Sequence, residues 1–443
     1  MFPRRLALVA ALLSLVAGTC AEVCAQTARD PRAAAPYRGL FGGNNGPDEN
    51  GQVLDFTAGL FGGYDNDLGG GESATVSDSS TRASSKYFGG QSQLRYRRNV
   101  FQKLGLEASA GTSSSLYTDI DNLVATSANG ALGVSWSINQ RTRMSLSQSV
   151  AYSPFYGYSL FPTAGVETPL VPTAPTFDTR VTKNENVTLG SSATFTREVT
   201  SRLSFDASAN YSRIDFRGDI DQPGGAHYGG RAGFGYSLTR RARARLGYGY
   251  MTGDYGGSRS NNLQSHTIDV GIDYARALSF SRKTQLSFST GSTVYSDARY
   301  TRYLVLGNAA LTHQLGRTWL AQATYSRNLQ LVNGFSEPFF ADTASVGLGG
   351  FLGQRVRLTT QAGISWGQLG LSPKDADNRS SKTTYVSPAL QVAITEFMAL
   401  QGSYFYYQSE FDPGSAPLPE GLDATRSRQG VKVGLTFWVP LIR

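Results

Sequence analysis

Cysteine, histidine and long apolar runs are scarce in this 443-residue chain. There are two cysteines, Cys20 and Cys24, three histidines, His227, His266 and His313, and four methionines. Both cysteines fall in the first 25 residues. A chain shortened beyond them has no disulfide and no thiolate for a metal site, so an exported form must be stabilised by something other than cross-links. The histidines stand about 40 residues apart, without the close pairing that a zinc site needs. Charged residues make up only 17% of the chain. Its formal net charge of +8 falls to about +7 without Arg4, Arg5 and Glu22, too thin an excess over such a length to call for an anionic polymer partner. Beyond the N-terminus no apolar stretch approaches the roughly 20 residues of a membrane helix.

What is abundant is glycine, 50 residues, with 23 tyrosines and 23 phenylalanines among many serines and threonines. Glycine is costly in a helix and aromatic rings suit a pleated surface, so the composition favours strands and turns. At the N-terminus Arg4 and Arg5 precede the short apolar run "LALVAALLSLVAG", and Val23 and Ala25 lead to Gln26. This is the pattern of a secretory signal, with residues 1–25 removed before Gln26, 26–50 a periplasmic tail and 51–443 the folded unit. Lipidation at Cys20 or Cys24 competes with it, but "AGTC" and "AEVC" lack the small residue wanted before the cysteine.

The folded unit alternates with period two. In "RVRLTTQAGISW" Val356, Leu358, Ala362, Ile364 and Trp366 share one face and Arg357, Thr359, Gln361 and Ser365 the other. "HTIDVGIDY" and "RMSLSQSVAY" alternate in the same way. Such strands lie between an apolar and a polar phase. Short polar turns are expected at 97–103, 138–143, 197–202, 239–243, 278–283, 315–318, 352–355 and 394–397, most of them about 40 residues apart. Longer Gly-, Asp-, Pro- and Ser-rich segments lie between them at 65–84, 153–183, 217–225, 254–262, 330–340, 369–381 and 411–426. Short turns at one end and long loops at the other predict an all-β, antiparallel, up-and-down transmembrane β-barrel of about 18 strands, with 16 the alternative. A propeller would show four short strands per repeat and a recurring Trp-Asp signature, and neither is present.

The stretch "RRARARLGYGY", Arg240 to Tyr250, tests this reading. Taken alone it resembles an arginine-rich nucleic-acid segment. As a barrel strand it sorts Ala242, Ala244, Leu246, Tyr248 and Tyr250 toward lipid and Arg243, Arg245, Gly247 and Gly249 toward the lumen. The apolar face and the export signal favour the strand, and no nucleic-acid partner is expected.

The final "KVGLTFWVPLIR" resembles the C-terminal signal by which the barrel-assembly machinery recognises bacterial outer-membrane proteins. Lys432, Gly434, Phe437 and Val439 match it, although the chain continues through Pro440 to Arg443 instead of stopping on an aromatic. With its leader, its layout and aromatic segments such as "AYSPFYGYSLFP", the whole chain resembles putative β-barrel porins often associated with exopolysaccharide secretion systems. The resemblance implies export to the bacterial outer membrane, contact with its lipid and with the assembly machinery, and service as a passive pore or a polysaccharide conduit. A closed, plugged barrel accessory to an envelope complex is the alternative it leaves open.

The chemistry follows from parity. The expected lumen-facing charges are Arg95, Glu107, Asp206, Arg231, Arg243, Arg245, Asp269, Asp273, Arg302, Arg355 and Arg357, either an anion-favouring lining or a ladder of cross-strand ion pairs. Phe405 and Tyr407 fall on the same face, where aromatic rings could carry sugars. The segment from Ser153 to about Asn184, with Phe155, Tyr156, Tyr158 and Phe161, is either a constriction folded into the lumen or a proline-stiffened surface loop. "GISWG" around Ser365 matches a hydrolase elbow, but lies within a strand and lacks the strand-turn-helix setting. No cofactor is expected. A lipid-modifying enzyme is the third reading, with His227 or His266 as its acid-base group and His313 the remaining histidine.

Overall fold

Backbone amides in lipid have no water to bond, so each strand of an alternating sheet must find a partner on both sides. The computed structural model answers this with a closed ring of antiparallel strands. It describes residues 51–67, 84–101, 103–119, 123–155, 185–217, 224–239, 242–255, 261–278, 281–296, 301–330, 339–369, 380–412 and 424–442.

The first six strands are β1 (Gln52–Asp65), β2 (Ser85–Val100), β3 (Leu104–Tyr117), β4 (Leu123–Asn139), β5 (Thr142–Ser153) and β6 (Asn186–Glu198). Then come β7 (Leu203–Phe216), β8 (Gly225–Ser237), β9 (Ala242–Tyr255), β10 (Asn261–Leu278), β11 (Ser281–Ser296) and β12 (Thr301–Leu315). The ring is completed by β13 (Trp319–Gln330), β14 (Phe339–Leu352), β15 (Val356–Leu369), β16 (Ser380–Ala393), β17 (Met398–Phe411) and β18 (Thr425–Ile442). Each pairs with its sequence neighbours, and β1 pairs with β18 from Leu54↔Ile442 to Asp65↔Gly430. The expected 18-strand barrel is therefore present.

The short connections coincide with the eight expected turns. Gly316 and Gly353 occupy two of them with φ of +67° and +69°, the left-handed region that glycine enters without strain. In the first, Phe101 adopts a φ of 53°, which a side chain with a Cβ tolerates poorly. The long connections all open at the other end. Those joining β3 to β4 and β11 to β12 are short enough that composition alone does not mark them as loops.

Parity holds around the ring. Leu60, Leu132, Leu246, Val270, Tyr303 and Val346 point outward and are well exposed, as a lipid-facing surface requires. Aromatic residues gather near both rims of this outer face. Phe56, Trp136 and Tyr236 lie toward the short turns, and Tyr64, Phe88, Tyr228 and Trp366 toward the long loops. Such girdles suit the two membrane interfaces. Two outer ion pairs, Arg213–Asp215 at 2.8 Å and Arg327–Asp342 at 3.8 Å, lie beyond the apolar band at the long-loop end.

With strands about 4.8 Å apart and tilted about 40°, a ring of this size is about 36 Å across between backbones, wider than two opposed layers of side chains. There is no conventional core. Val270→Arg, at the middle of β10 on the outer face, is expected to lower barrel stability by about 3 kcal/mol. Gln93→Arg, on the inner face of β2, is expected to leave it near the parent value. The midpoint of urea unfolding in detergent micelles, followed by heat-modifiable gel migration, measures both.

Candidate functional site: the barrel interior

Inward-facing positions carry Ser, Thr, Gln and Gly, together with many of the strand arginines. Serine and threonine hydroxyls bridge neighbouring strands, as in Ser113–Ser127 at 2.8 Å, Thr324–Ser345 at 2.6 Å and Thr343–Ser365 at 3.2 Å. Ser365 is thus a buried inner-wall hydroxyl within β15, where strand geometry continues on both sides.

The densest charge lies on β7 to β10. Arg231 of β8 pairs with Asp269 of β10. Arg245 of β9 reaches Asp269 at 2.7 Å and Asp273 at 2.5 Å. Arg243 approaches Asp206 of β7 at 3.6 Å and hydrogen-bonds the Ser204 hydroxyl. Two backbone features make room for this ladder. The β10–β11 register shifts between Ile268↔Ser292 and Tyr274↔Phe288, so five residues of β10 face three of β11. The bulge carries Asp269 and Asp273, and within it Arg245 Nη2 donates to the Thr290 carbonyl at 2.9 Å. On β8, Gly235 leaves the space that the Arg243 guanidinium fills, and a β-carbon there would overlap it.

Across the ring, a second cluster sits at the long-loop end of the β18–β1 seam. Arg428 pairs with Asp65 at 2.6 Å, Nε lying 3.0 Å from both carboxylate oxygens. Arg426 reaches Asp67 at 3.2 Å and the Asp67 carbonyl at 3.1 Å. All four side chains are buried. Beside them an aromatic row runs along the inner wall from Phe61 to Tyr87 (6.2 Å), Tyr117 (5.6 Å) and Phe155 (6.3 Å).

The expected interior residues fall as follows. Arg95, Glu107, Asp206, Arg231, Arg243, Arg245, Asp269, Asp273, Arg302, Arg357, Phe405 and Tyr407 all have inward parity. Arg95 and Arg97 share Glu107 at 3.4 and 3.3 Å. Arg355 does not line the interior, because it sits exposed in the turn between β14 and β15. Tyr407 is only 2% exposed and packs with Tyr385 and Phe405, so it offers no open face to a sugar, and Arg428 lies over the Phe405 ring at 5.6 Å.

Phe155 is buried on the inner wall against Tyr117, Leu123 and Ala125, its ring edge-on to Tyr117, and its carbonyl accepts from Asn186 Nδ2 at 3.0 Å. Tyr156, Tyr158 and Phe161 lie outside the described residues, as do the expected signal and tail, residues 1–50. Of the residues expected to form a C-terminal signal, Phe437 and Val439 face outward, and Gly434 faces inward, where a β-carbon would stand 2.7 Å from the Leu60 carbonyl.

The histidines do not converge. His227 is half-buried on the inner wall. His266 faces outward beside Tyr248 OH at 2.7 Å, and His313 outward beside the Thr284 hydroxyl at 2.6 Å. Among the described residues no group of three His, Cys, Asp or Glu side chains could hold a metal.

Parity on β18 reveals the residues that sequence reasoning missed, Arg426, Arg428 and Lys432 as inner-wall cations. They alternate with outward Ser427, Gln429 and Val431.

No family model matches the chain, and no curated protein matches it. Solved outer-membrane barrels resemble it. OpdQ of Pseudomonas aeruginosa is 11% identical, with a TM-score of 0.44 over 88% of this chain and 98% of that one. OprD of the same organism is 10% identical, with a TM-score of 0.41 over 89% and 94%. The ferric-catecholate import receptor Fiu of E. coli K12 is 10% identical, with a TM-score of 0.45 over 89% and 82%. Overlap at this level distinguishes nothing among barrels, and the functional reading rests on this chain's own interior.

Arg245→Ala would leave Asp269 and Asp273 facing each other without their shared cation. It is expected to cost about 3 kcal/mol of unfolding stability. Asp273→Asn, which keeps the Arg245–Asp269 pair, is expected to cost less. Urea unfolding of the two variants side by side provides the comparison.

Proposed function

We propose that the chain is a pore-forming barrel of a bacterial outer membrane through which small solutes diffuse passively. One observation carries this: a closed ring of 18 strands whose inner wall is hydroxyl-, amide- and arginine-lined while its outer wall is apolar. A ring this wide encloses more space than its own wall side chains fill. Lipid of the outer membrane and the barrel-assembly machinery are the partners this reading requires, with Gly434, Phe437 and Val439 as the recognition residues.

The arginines of β8 and β9 do not by themselves make the lumen anion-selective. Arg231, Arg243 and Arg245 are each matched by Asp206, Asp269 or Asp273. A small anion preference would come instead from Arg95 and Arg97, which share one carboxylate, and from Lys432. Export of a polysaccharide is a narrower form of the reading. It comes from the resemblance of the layout to secretion-associated barrels, and of the two inner aromatics that could carry sugars, Tyr407 is buried against Tyr385, which favours small solutes.

The plugged, accessory barrel also has an observation in its favour. Inner-wall Ser326, Thr343, Tyr385 and Ser409 are at most 2% exposed, so the β13–β17 wall is not bathed by solvent at the long-loop end. Single-channel recording of the refolded protein in a planar bilayer under a salt gradient separates the two. Discrete steps with a small anion preference are expected; silence from a barrel that shows heat-modifiable migration would favour the plugged form.

A further inference from the structure

The outer wall is not the same all the way round. On β9, β10 and β14 its middle carries Leu246, Val270 and Val346, each more than half exposed, as lipid contact requires. From β3 to β8 the middle is built of small side chains. Ala110, Ala193, Ala209 and Ala232 face outward there at similar distances from the short turns, with Gly130 and Gly230 beside them toward the long loops.

Two polar side chains stand unpaired in this stretch. The outward row that crosses β4, β5 and β6 runs Leu132↔Gln148↔Ser191. Gln148 is exposed, sits on the outward face midway between Met144 and Tyr152, and forms no hydrogen bond among the described residues. Its amide has two donors and an acceptor, and hydrocarbon offers a partner to none of them. Ser191 is only 3% exposed, and its hydroxyl has no hydrogen-bond partner either. Membrane segments pack together through small residues, which let backbones approach, and through polar side chains that bond across the contact. Both features are present on this face of the wall.

We infer that this face is the interface of a homodimer, packed against a second copy of this chain with Gln148 on the two-fold axis. Copies inserted in the same sense are related by an axis along the membrane normal. Each strand on one side of β5 therefore meets, in the partner, the strand equally far to the other side. Leu132, which is 62% exposed, projects onto Ala193 of the partner subunit, and Ala110 meets Ala209 of the partner subunit. At the axis the two carboxamides bond to each other, because the donor and acceptor of a primary amide match those of a second one turned through 180°. Small side chains also lower the crest of a convex wall, so two barrels touch over several strands and not along a line. Six strands about 4.8 Å apart, crossed by an apolar band about 25 Å tall, present about 700 Å² per copy, near the roughly 800 Å² per partner of a specific interface.

The test begins with the mass of the folded barrel by sedimentation in density-matched detergent micelles. A dimer is expected, and Gln148→Ala, checked for heat-modifiable migration, is expected to raise its dissociation constant about tenfold, the loss of two amide hydrogen bonds in lipid. Gln148→Cys then reads the axis. A residue on a two-fold meets its own copy, so mild oxidation in membranes is expected to link this variant into a dimer, while Val346→Cys on β14 and the parent chain are expected to stay unlinked. A monomer, a trimer, unchanged association of the folded Gln148→Ala barrel, or linking at residue 346 equal to that at residue 148 would overturn the assignment. The interface needs a wall that faces lipid and does not need a lumen that conducts. A silent bilayer would overturn the pore and spare the dimer, whereas a conducting monomer would overturn the dimer and spare the pore.

Discussion

Everything in this barrel depends on the pairing of β1 with β18. Seventeen of the pairings could form in an open sheet, and only this one leaves no edge strand exposed to lipid. It is also the pairing with the largest separation in sequence, and so the one with the greatest loop-closure cost. The structure meets that cost with more than backbone bonds. Arg428–Asp65 and Arg426–Asp67 cross the seam near its long-loop end, buried and partly bidentate, and Asn66 and Gln429 exchange two further bonds. Arginine suits this place because its planar fork fixes orientation as well as distance, which a seam in need of a single register can use.

Ring closure also frees the interior from any duty as a hydrophobic core. In a single-layer wall every strand has two solvents, so stability comes from the hydrogen-bond ladder and the lipid-facing side chains, while inner positions can carry charge. That charge is still largely neutralised in place. The β10 bulge brings Asp269 and Asp273 to Arg245, and the missing side chain of Gly235 admits Arg243 beside Asp206. An arginine-rich strand read along the sequence becomes a nearly neutral wall once its neighbours are in place.

The strands were legible because most of them report both solvents, as Val356 to Trp366 do by alternation. The eight tight turns were legible because polar clusters interrupt that alternation at regular spacing. Inward parity was therefore available for Arg95 through Arg357. What parity cannot carry is the partner: the shift in register at β10 is invisible in "HTIDVGIDY", yet it decides which aspartate Arg245 meets. The first residues of β18 were misread as loop for a related reason. Thr425, Ser427 and Gln429 point outward above the apolar band, so both faces of the strand are polar there and alternation vanishes. The cost was overlooking Arg426 and Arg428, and with them the seam. Tyr407 shows the same limit, since parity gives its direction and not its burial beneath Tyr385.

The separation of the two walls keeps a charge on one side of the lumen from acting on the other. A cross-section of about 36 Å between backbones is several times the roughly 8 Å screening length at physiological salt. The charge at Lys432 therefore does little to an ion travelling along the opposite wall, where the ladder is already neutral. It acts on a solute within one screening length, and a solute that close also meets Gln91, Gln391 and Gln401. Bulk conductance and local recognition are consequently separable in this architecture. The first reports the average over the lumen, and the second reports the side chains of one patch of the wall.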